Sequence, residues 1–374
     1  KRRLVTTKQN KYNMKRYGNL YDTIISVDNL RLADEKARKG KTKSYGVRIF
    51  DKDKENNLQR LHEVLASGEF RTSQYSTFFV YEPKERKIYR LPYYPDRILH
   101  HAIMNVMENI WVRSMTTDTY ACVKKRGIHK CAKKIKHDLK SEKNIYCLKT
   151  DIRKFYPSID HDTLKCVIRR KIKDKKLLKL LDEIIDSTDG VPIGNYLSQY
   201  FANIYLSELD HIIKEKFHIK YYYRYADDTV ILSHSKSTLH RVEKFMKEYL
   251  SGMKLDLKGN WRIFPVAKTV LDNTGCGIDF MGYVFYLEHT RLRKAIKKNF
   301  IKQAIKVGRH HLTSELIRTY DSAWNGWCKH ANAINLHNII KNKVYEINTK
   351  QRQATNMVGC RKRKLLLPFK HQGN

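Results

Sequence analysis

A chain of 374 residues is long enough for two or three domains or one multi-lobed enzyme, and 41% hydrophobic residues supply a real core. The 75 Lys and Arg against 38 Asp and Glu leave a formal net charge of +37, spread along the whole chain rather than confined to a tail. Such an excess works against a compact fold unless a counter-charge is supplied, so it points to a polyanionic partner, nucleic acid above all, rather than to a merely solvated surface. No long apolar span supports insertion into a membrane. The cysteines (Cys122, Cys131, Cys147, Cys166, Cys276, Cys328 and Cys360) form no C-x-x-C pair, which argues against zinc. Their odd number and the lack of a signal peptide point to a reducing cytoplasm.

Residues 1–17 are basic and aromatic without a period, and are expected to form an arm that lies on nucleic acid. Leu58, Leu61 and Leu65 fall at helical spacing, with Gly68 placed to stop that helix. Tyr75 to Tyr81 reads as a strand, followed by the basic turn Glu82-Pro83-Lys84-Glu85-Arg86-Lys87 and a second strand from Ile88 to Leu91. The cations of that turn can meet phosphates, although a basic turn is more often only solvated. Asp96-Arg97 opens a helix with a broad apolar stripe through Ile98, Ala102, Val106 and Ile110, and the stretch from Lys124 to Lys136 is strongly cationic.

Ile145 to Ile152 reads as a buried strand ending in a carboxylate, Asp151. An acid there is costly unless it is paired or binds a cation. Asp160 reads as the N-cap of a following helix in preference to a ligand. Leu164 to Ile185 is expected to be helical, and Gly190 to Gln199 to be a loop leading into a helix through Leu197, Phe201, Ile204 and Leu209. Next comes Tyr223-Arg224-Tyr225-Ala226-Asp227-Asp228-Thr229-Val230-Ile231-Leu232. Strand formers flank a short polar step, so this reads as a hairpin with the aspartates at or near its tip. Adjacent like charges are costly unless a cation joins them. A Tyr-x-Asp-Asp string arises by chance roughly 0.1 times in such a chain, so its weight depends on its partners. A helix from Leu239 to Leu250, a hairpin over Ile278 to Phe285, and basic helices after about residue 290 complete the pattern. The last of these present Lys294, Lys298 and Lys302 on one face.

In that order, a strand-end Asp151, a Gly-x-x-x-Ser loop and helix, a Tyr-x-Asp-Asp hairpin and the Phe280-Met281-Gly282-Tyr283 hairpin resemble the palm of a reverse transcriptase, over about residues 75 to 335. Ile193-Gly194-Asn195-Tyr196-Leu197-Ser198-Gln199 is the informative variant. Most members carry Gln-Gly there and end in Ser-Pro, whereas an aliphatic residue before Gly and Gln after Ser resemble the reverse transcriptases of diversity-generating retroelements. Leu91 to Ala102, Phe155-Tyr156-Pro157-Ser158-Ile159-Asp160 and Ser322-Ala323-Trp324-Asn325-Gly326 share that likeness.

The resemblance implies an α+β right-hand polymerase with fingers, an antiparallel-sheet palm and a helical thumb. Its expected divisions are an N-terminal arm and fingers over 1–144, palm over 145–160, a helical fingers insertion over 161–193, palm again over 194–287, and thumb with basic tail over 288–374. It implies a cytoplasmic, bacterial or phage-encoded RNA-directed DNA polymerase making error-prone, adenine-directed cDNA with two Mg²⁺, for which Mn²⁺ can substitute. Asp151 and Asp227 would hold the ions, with Asp228 weaker and the Ile152 carbonyl an extra ligand. Lys84 and Arg86 or Lys87, with Phe155, Tyr156, Ile193 and Gly194, would meet the deoxynucleotide. Tyr156 would be the gate that excludes a ribose 2′-hydroxyl, Ile193, Ser198 and Gln199 the fidelity motif, and Phe280 to Tyr283 the primer grip. Lys294, Lys298 and Lys302 would bind nucleic acid, and Lys258 or Lys268 would protonate pyrophosphate. The implied partners are template RNA, primer or cDNA, dNTPs and a basic, oligomeric accessory protein. Other bacterial reverse transcriptases (group II intron, retron or phage-defence type) and a non-catalytic RNA-binding protein are the rival readings.

Overall fold

The computed structural model describes residues 16–81, 85–309 and 314–364. Helices α1 (Tyr21–Ile25), α2 (Val27–Ala37), α3 (Tyr45–Phe50) and α4 (Lys54–Ser67) precede strands β1 (Ser76–Val80) and β2 (Arg86–Arg90). Then come α5 (Ile98–Ser114), α6 (Ile128–Lys140), β3 (Tyr146–Thr150), the short α7 (Phe155–Ser158), α8 (His161–Arg169), α9 (Lys175–Ile185), α10 (Tyr196–Tyr205) and α11 (Ser207–Glu215). β4 (Tyr221–Tyr225), β5 (Asp228–Ser233), α12 (Lys236–Gly252) and β6 (Arg262–Pro265) follow. The chain continues through β7 (Ile278–Phe280), β8 (Tyr283–Phe285), β9 (Thr290–Leu292), α13 (Lys294–Arg309), α14 (Ser314–Lys329) and α15 (Ile334–Lys364). Two compact units result, Lys1–Gly127 with Tyr146–Ile263, and Ile128–Ile145 with Phe264–Asn374. No helix of the described residues is long and apolar enough to cross a membrane.

In the first unit, α2 packs on α5 through small and branched residues, Leu30, Ala33 and Ala37 among them. The amide of Asn29 donates to the Ala102 carbonyl at 3.1 Å across that contact. Asp34 is fully buried on α2 and accepts from Arg38 at 2.7 Å, from the Tyr93 hydroxyl at 2.5 Å, and faces Lys54 at 3.1 Å. Burial alone would raise this carboxyl, but the bonds from Arg38, Tyr93 and Lys54 outweigh it and hold the group below its usual range. The helix through Leu58, Leu61 and Leu65 ends at Gly68 as expected, in the left-handed conformation, with its N–H bonded back to Leu65.

The sheet of this unit runs antiparallel in the order β4–β5–β3. Register is fixed by Thr150 opposite Thr229 and by Tyr225 opposite Asp228. Leu148, Tyr222 and Ile231 join the core with α10 and α12, so the alternation of the strands puts Asp151 and Asp228 on the other face. The single helix expected from Leu164 to Ile185 is two helices. Asp174 accepts from Leu177 N–H to cap α9, and Ile172 bridges to Tyr17, so the chain turns between them. Asp160 caps α8 through Thr163 N–H at 3.0 Å, as the sequence indicates.

In the second unit β7, β8 and β9 form an antiparallel sheet. Phe280 pairs with Tyr283, so Met281 and Gly282 make a two-residue turn in which both have positive φ (49 and 87°). A Cβ on Gly282 would lie 2.4 Å from Ile296 and 2.9 Å from Trp327, so the close packing of α13 and α14 requires glycine. Phe300 stacks on Trp324 at 4.3 Å in the core of this unit. Lys294, Lys298 and Lys302 line an exposed face of α13.

Removing a partner from a buried charge cluster costs about 3 kcal/mol. Asp34→Ala should therefore lower the urea midpoint by that equivalent, while Asp28→Ala, at an exposed pair with Arg31, leaves it in place. Equal midpoints for both variants would contradict this account of the N-terminal helices.

Candidate active site

Asp151 follows directly on the end of β3, one residue beyond the Thr150–Thr229 pair, and β5 begins at Asp228. The β4–β5 connection is the two-residue turn Ala226-Asp227, with Ala226 at φ +57°. Positive φ at the first position suits the right-handed twist of a tight hairpin, but a residue with a Cβ pays about 1–2 kcal/mol to adopt it. The register therefore puts Asp151 and the hairpin tip at one end of the sheet, where the carboxyls of Asp151 and Asp227 come close enough to interact. Burial first, and the charge of Asp151 second, push the Asp227 carboxyl up to about 6.

Asp151 is also held from the other side. Lys258 N–H donates to the Asp151 carbonyl at 2.9 Å and its ammonium pairs with the Asp151 carboxylate. Arg153 N–H donates to the Asp256 carbonyl at 2.8 Å, which leaves Ile152 opposite Leu257 at a position that spends no hydrogen bond on that neighbour. The Ile152 carbonyl consequently points to the opposite edge, the side of β5. The Asp228 carboxylate lies 3.8 Å from the Lys149 ammonium. Among the described residues no group of three His, Cys, Asp or Glu side chains is close enough to hold a metal ion. The closest carboxylate contact of the expected set is the Asp151–Asp227 pair, with Asp228 next to it at the start of β5. Two carboxylates forced together, one of them held toward its protonated form, are a donor set that fits a divalent cation.

Phe155 is buried and Tyr156 partly so, with the Tyr156 hydroxyl raised by burial and within electrostatic range of Asp227. The Tyr156 carbonyl accepts from Val191 N–H at 2.9 Å, which ties this segment to the loop before α10. In that loop the half-buried Ile193 accepts at its carbonyl from Tyr89 N–H at 2.8 Å. Gly194 has φ +122° and a Cβ there would meet the Tyr89 carbonyl at 2.4 Å, so β2 can lie against the loop for want of a side chain. Ser198 is buried and Gln199 is exposed. A cavity of about 1150 Å³ opens beside this loop, lined among others by Lys41, Tyr45, Arg90, Arg97 and Gln199. Burial, then Arg97 and Arg90, lower the Lys41 ammonium, a sign of cations crowded together.

Arg86 and Lys87 are exposed on β2, with Lys87 5.2 Å from the Tyr89 ring centre, and Lys84 lies outside the described residues. Phe280 to Tyr283 and Lys294, Lys298 and Lys302 belong to the second unit, as does Lys268. Sequence reasoning singled out neither Lys149 nor Arg224. The signal for Arg224 was present, because an arginine between tyrosines of a buried strand requires a buried partner.

If the pair is the source of this strain, the fold gains stability when Asp227 is neutral. Its folded value lies above its unfolded one, so the contribution is present below about pH 4 and lost as pH rises through about 6. In EDTA at pH 8, Asp227→Asn should be more stable than wild type by about 2 kcal/mol, and the gap should close at pH 4. Mg²⁺ should raise the wild-type melting temperature and leave that of the variant unchanged. Equal wild-type and variant melting at pH 8 would rule out the strained pair.

Residues 82–260 match the family model described as reverse transcriptase (RNA-dependent DNA polymerase). Protein YkfC of Escherichia coli (strain K12) is 27% identical over 177 residues, which cover 43% of this chain and 46% of that protein. The group II intron-encoded protein LtrA of Lactococcus lactis subsp. cremoris is 24% identical over 172 residues, 42% of this chain and 28% of that one. The retron Ec73 reverse transcriptase of Escherichia coli is 31% identical over 172 residues, 41% of this chain and 53% of that one. The chain thus spans about half or less of the length of these relatives. Over residues 82–260 this chain carries a reverse transcriptase domain of the right-hand polymerase fold, with relatives among group II intron and retron proteins.

Proposed function

We propose that this chain is an RNA-directed DNA polymerase that copies a template RNA into cDNA with deoxynucleotides. The observation that carries the reading is the Asp151–Asp227 pair at the open end of the sheet, inside the matched domain. Asp151 and Asp227, with the Ile152 carbonyl and more weakly Asp228, would hold two Mg²⁺, or Mn²⁺ in their place. When bound, the ions supply charge stabilisation to the attacking and leaving oxygens of in-line nucleotidyl transfer. Lys258, whose Nζ pairs with Asp151, is assigned to the departing pyrophosphate in preference to Lys268. Tyr156 shapes the sugar pocket against a 2′-hydroxyl, while Arg86, Lys87 and Lys84 meet the triphosphate. The cationic cavity beside Gly194 takes the template strand, where crowded ammonium and guanidinium groups gain a phosphate partner. Palm over 145–160 and 194–287, fingers over 1–144 and 161–193, and thumb over 288–374 are the divisions of this reading, with Phe280 to Tyr283 gripping the primer.

The finer assignment is to the diversity-generating retroelement type, with a basic accessory protein and a template-repeat RNA as partners. It rests on Ile193, Ser198 and Gln199. With its carbonyl committed to Tyr89 N–H, Ile193 offers its side chain to the nucleotide as shape alone. Losing a polar contact forfeits about 1–3 kcal/mol of discrimination. The likeness to the intron-encoded and retron proteins favours the second reading, an ordinary bacterial reverse transcriptase.

Primer extension on an RNA template with Mg²⁺ tests the activity. Asp227→Ala should reduce synthesis by about three orders of magnitude, the equivalent of about 4 kcal/mol, with RNA binding retained. Extension at the wild-type rate would overturn the carboxylate assignment, and a wild type that binds RNA without extending would favour the non-catalytic alternative. Sequenced cDNA separates the two polymerase readings: Ile193→Gln should lower errors opposite template adenines. An unchanged error spectrum would favour the intron or retron type.

A further inference from the structure

Arg224 lies in β4 between Tyr223 and Tyr225, and its side chain is 1% exposed; Asp210 of α11 is fully buried. Taking both charges out of water costs several kcal/mol per ion, and well-packed apolar residues in their place would stabilise a fold as well or better. The pair is therefore poorly explained by stability.

What the guanidinium touches gives the explanation. Its Nε and Nη2 each donate to Asp210 at 2.7 Å, and Asp210 is further bonded by the Tyr222 hydroxyl at 2.6 Å and the Thr119 hydroxyl at 3.1 Å. Nη2 also donates to the Asn203 carbonyl of α10 at 3.2 Å. Backbone bonds pin the same residue, from its N–H to the Asp118 carbonyl at 3.0 Å and from Tyr120 N–H to its carbonyl at 2.9 Å. The remaining nitrogen, Nη1, donates to the carbonyl of Ala226 at 2.9 Å. That carbonyl shares one planar peptide with the N–H of Asp227, so fixing it fixes the plane from which Asp227 departs. Ala226 is the residue at φ +57°, a conformation that persists when its surroundings over-determine it.

We propose that Arg224, clamped by Asp210, is the positioning residue of this hairpin: its Nη1 bond to the Ala226 carbonyl sets the peptide that aims Asp227 at Asp151. The inference rests on the reading of Asp151 and Asp227 as the cation-holding pair. Groups that orient metal-ligating side chains cost about 10–100-fold in affinity or activity when altered.

The test compares Arg224→Lys, Asp210→Asn and Tyr222→Phe in the full chain. A lysine keeps the charge but cannot span Asp210 and the Ala226 carbonyl together. Tyr222→Phe weakens the same buried network and leaves the Nη1 bond in place. Mn²⁺ binding by titration, without nucleotide or nucleic acid, is measured beside kcat and KM for primer extension and the urea midpoint. Arg224→Lys should lower Mn²⁺ affinity and kcat by about tenfold or more with the nucleotide KM unchanged. Asp210→Asn should act in the same direction, and it carries the test should the lysine variant fail to fold. Tyr222→Phe should lower the urea midpoint while Mn²⁺ affinity and kcat stay at wild-type values. Wild-type Mn²⁺ affinity in both Arg224→Lys and Asp210→Asn would overturn the proposal, as would losses in Tyr222→Phe in proportion to its destabilisation. Should the wild type extend no primer, the polymerase reading falls, and the Mn²⁺ comparison still decides the role of Arg224.

Discussion

Two carboxylates that the backbone will not let separate organise this molecule. Asp151 follows the end of one strand, Asp227 sits in the turn of the next hairpin, and the Thr150–Thr229 register brings them to the same end of the sheet. Like charges in a half-buried place cost stability unless a proton or cation sits between them, and here the Asp227 carboxyl leans toward the proton. Lys258 offsets part of the charge from the Asp151 side. A fold that keeps such a pair has given up stability at the point where it can bind a counter-ion.

The scaffold around the pair is built to resist relaxation. β4 is flanked on both edges at Arg224, which stands opposite Thr229 across the hairpin and is hydrogen-bonded through its backbone to the segment around Thr119, so the strand feeding the turn is not a free edge. In the loop before α10, Gly194 admits the β2 backbone to a contact that a Cβ would forbid, and Ile193 and Tyr89 close it with a hydrogen bond. α10 then runs from this loop to Asn203, which touches Arg224. The loop around Ile193 and Gly194 and the hairpin carrying the carboxylates are therefore joined through one helix and one guanidinium.

Much of this was legible in the sequence, for physical reasons. Runs of β-branched and aromatic residues located β3, β4 and β5, and Asp160 and Gly68 marked a helix start and stop through local hydrogen bonding and φ alone. What stayed hidden depends on contacts distant in sequence. Lys258 was one of two candidate lysines until the Ile152–Leu257 bridge placed it on Asp151. The break between α8 and α9 depends on Tyr17, more than 150 residues upstream of its partner Ile172 as sequence numbers give it, and no local pattern reveals it. Arg224 carries no motif of its own, and its role follows from the Ala226 carbonyl it reaches.

The central claim is that the Asp151–Asp227 pair is a cation site made by strand register. Crystals of the chain grown with Mn²⁺ and a deoxynucleotide, examined at the manganese absorption edge, test it most directly. The account predicts anomalous density contacting the carboxylates of both Asp151 and Asp227, and its loss in Asp227→Asn. Manganese bound elsewhere, with Lys258 still seated on Asp151 and no density between the two aspartates, would contradict it.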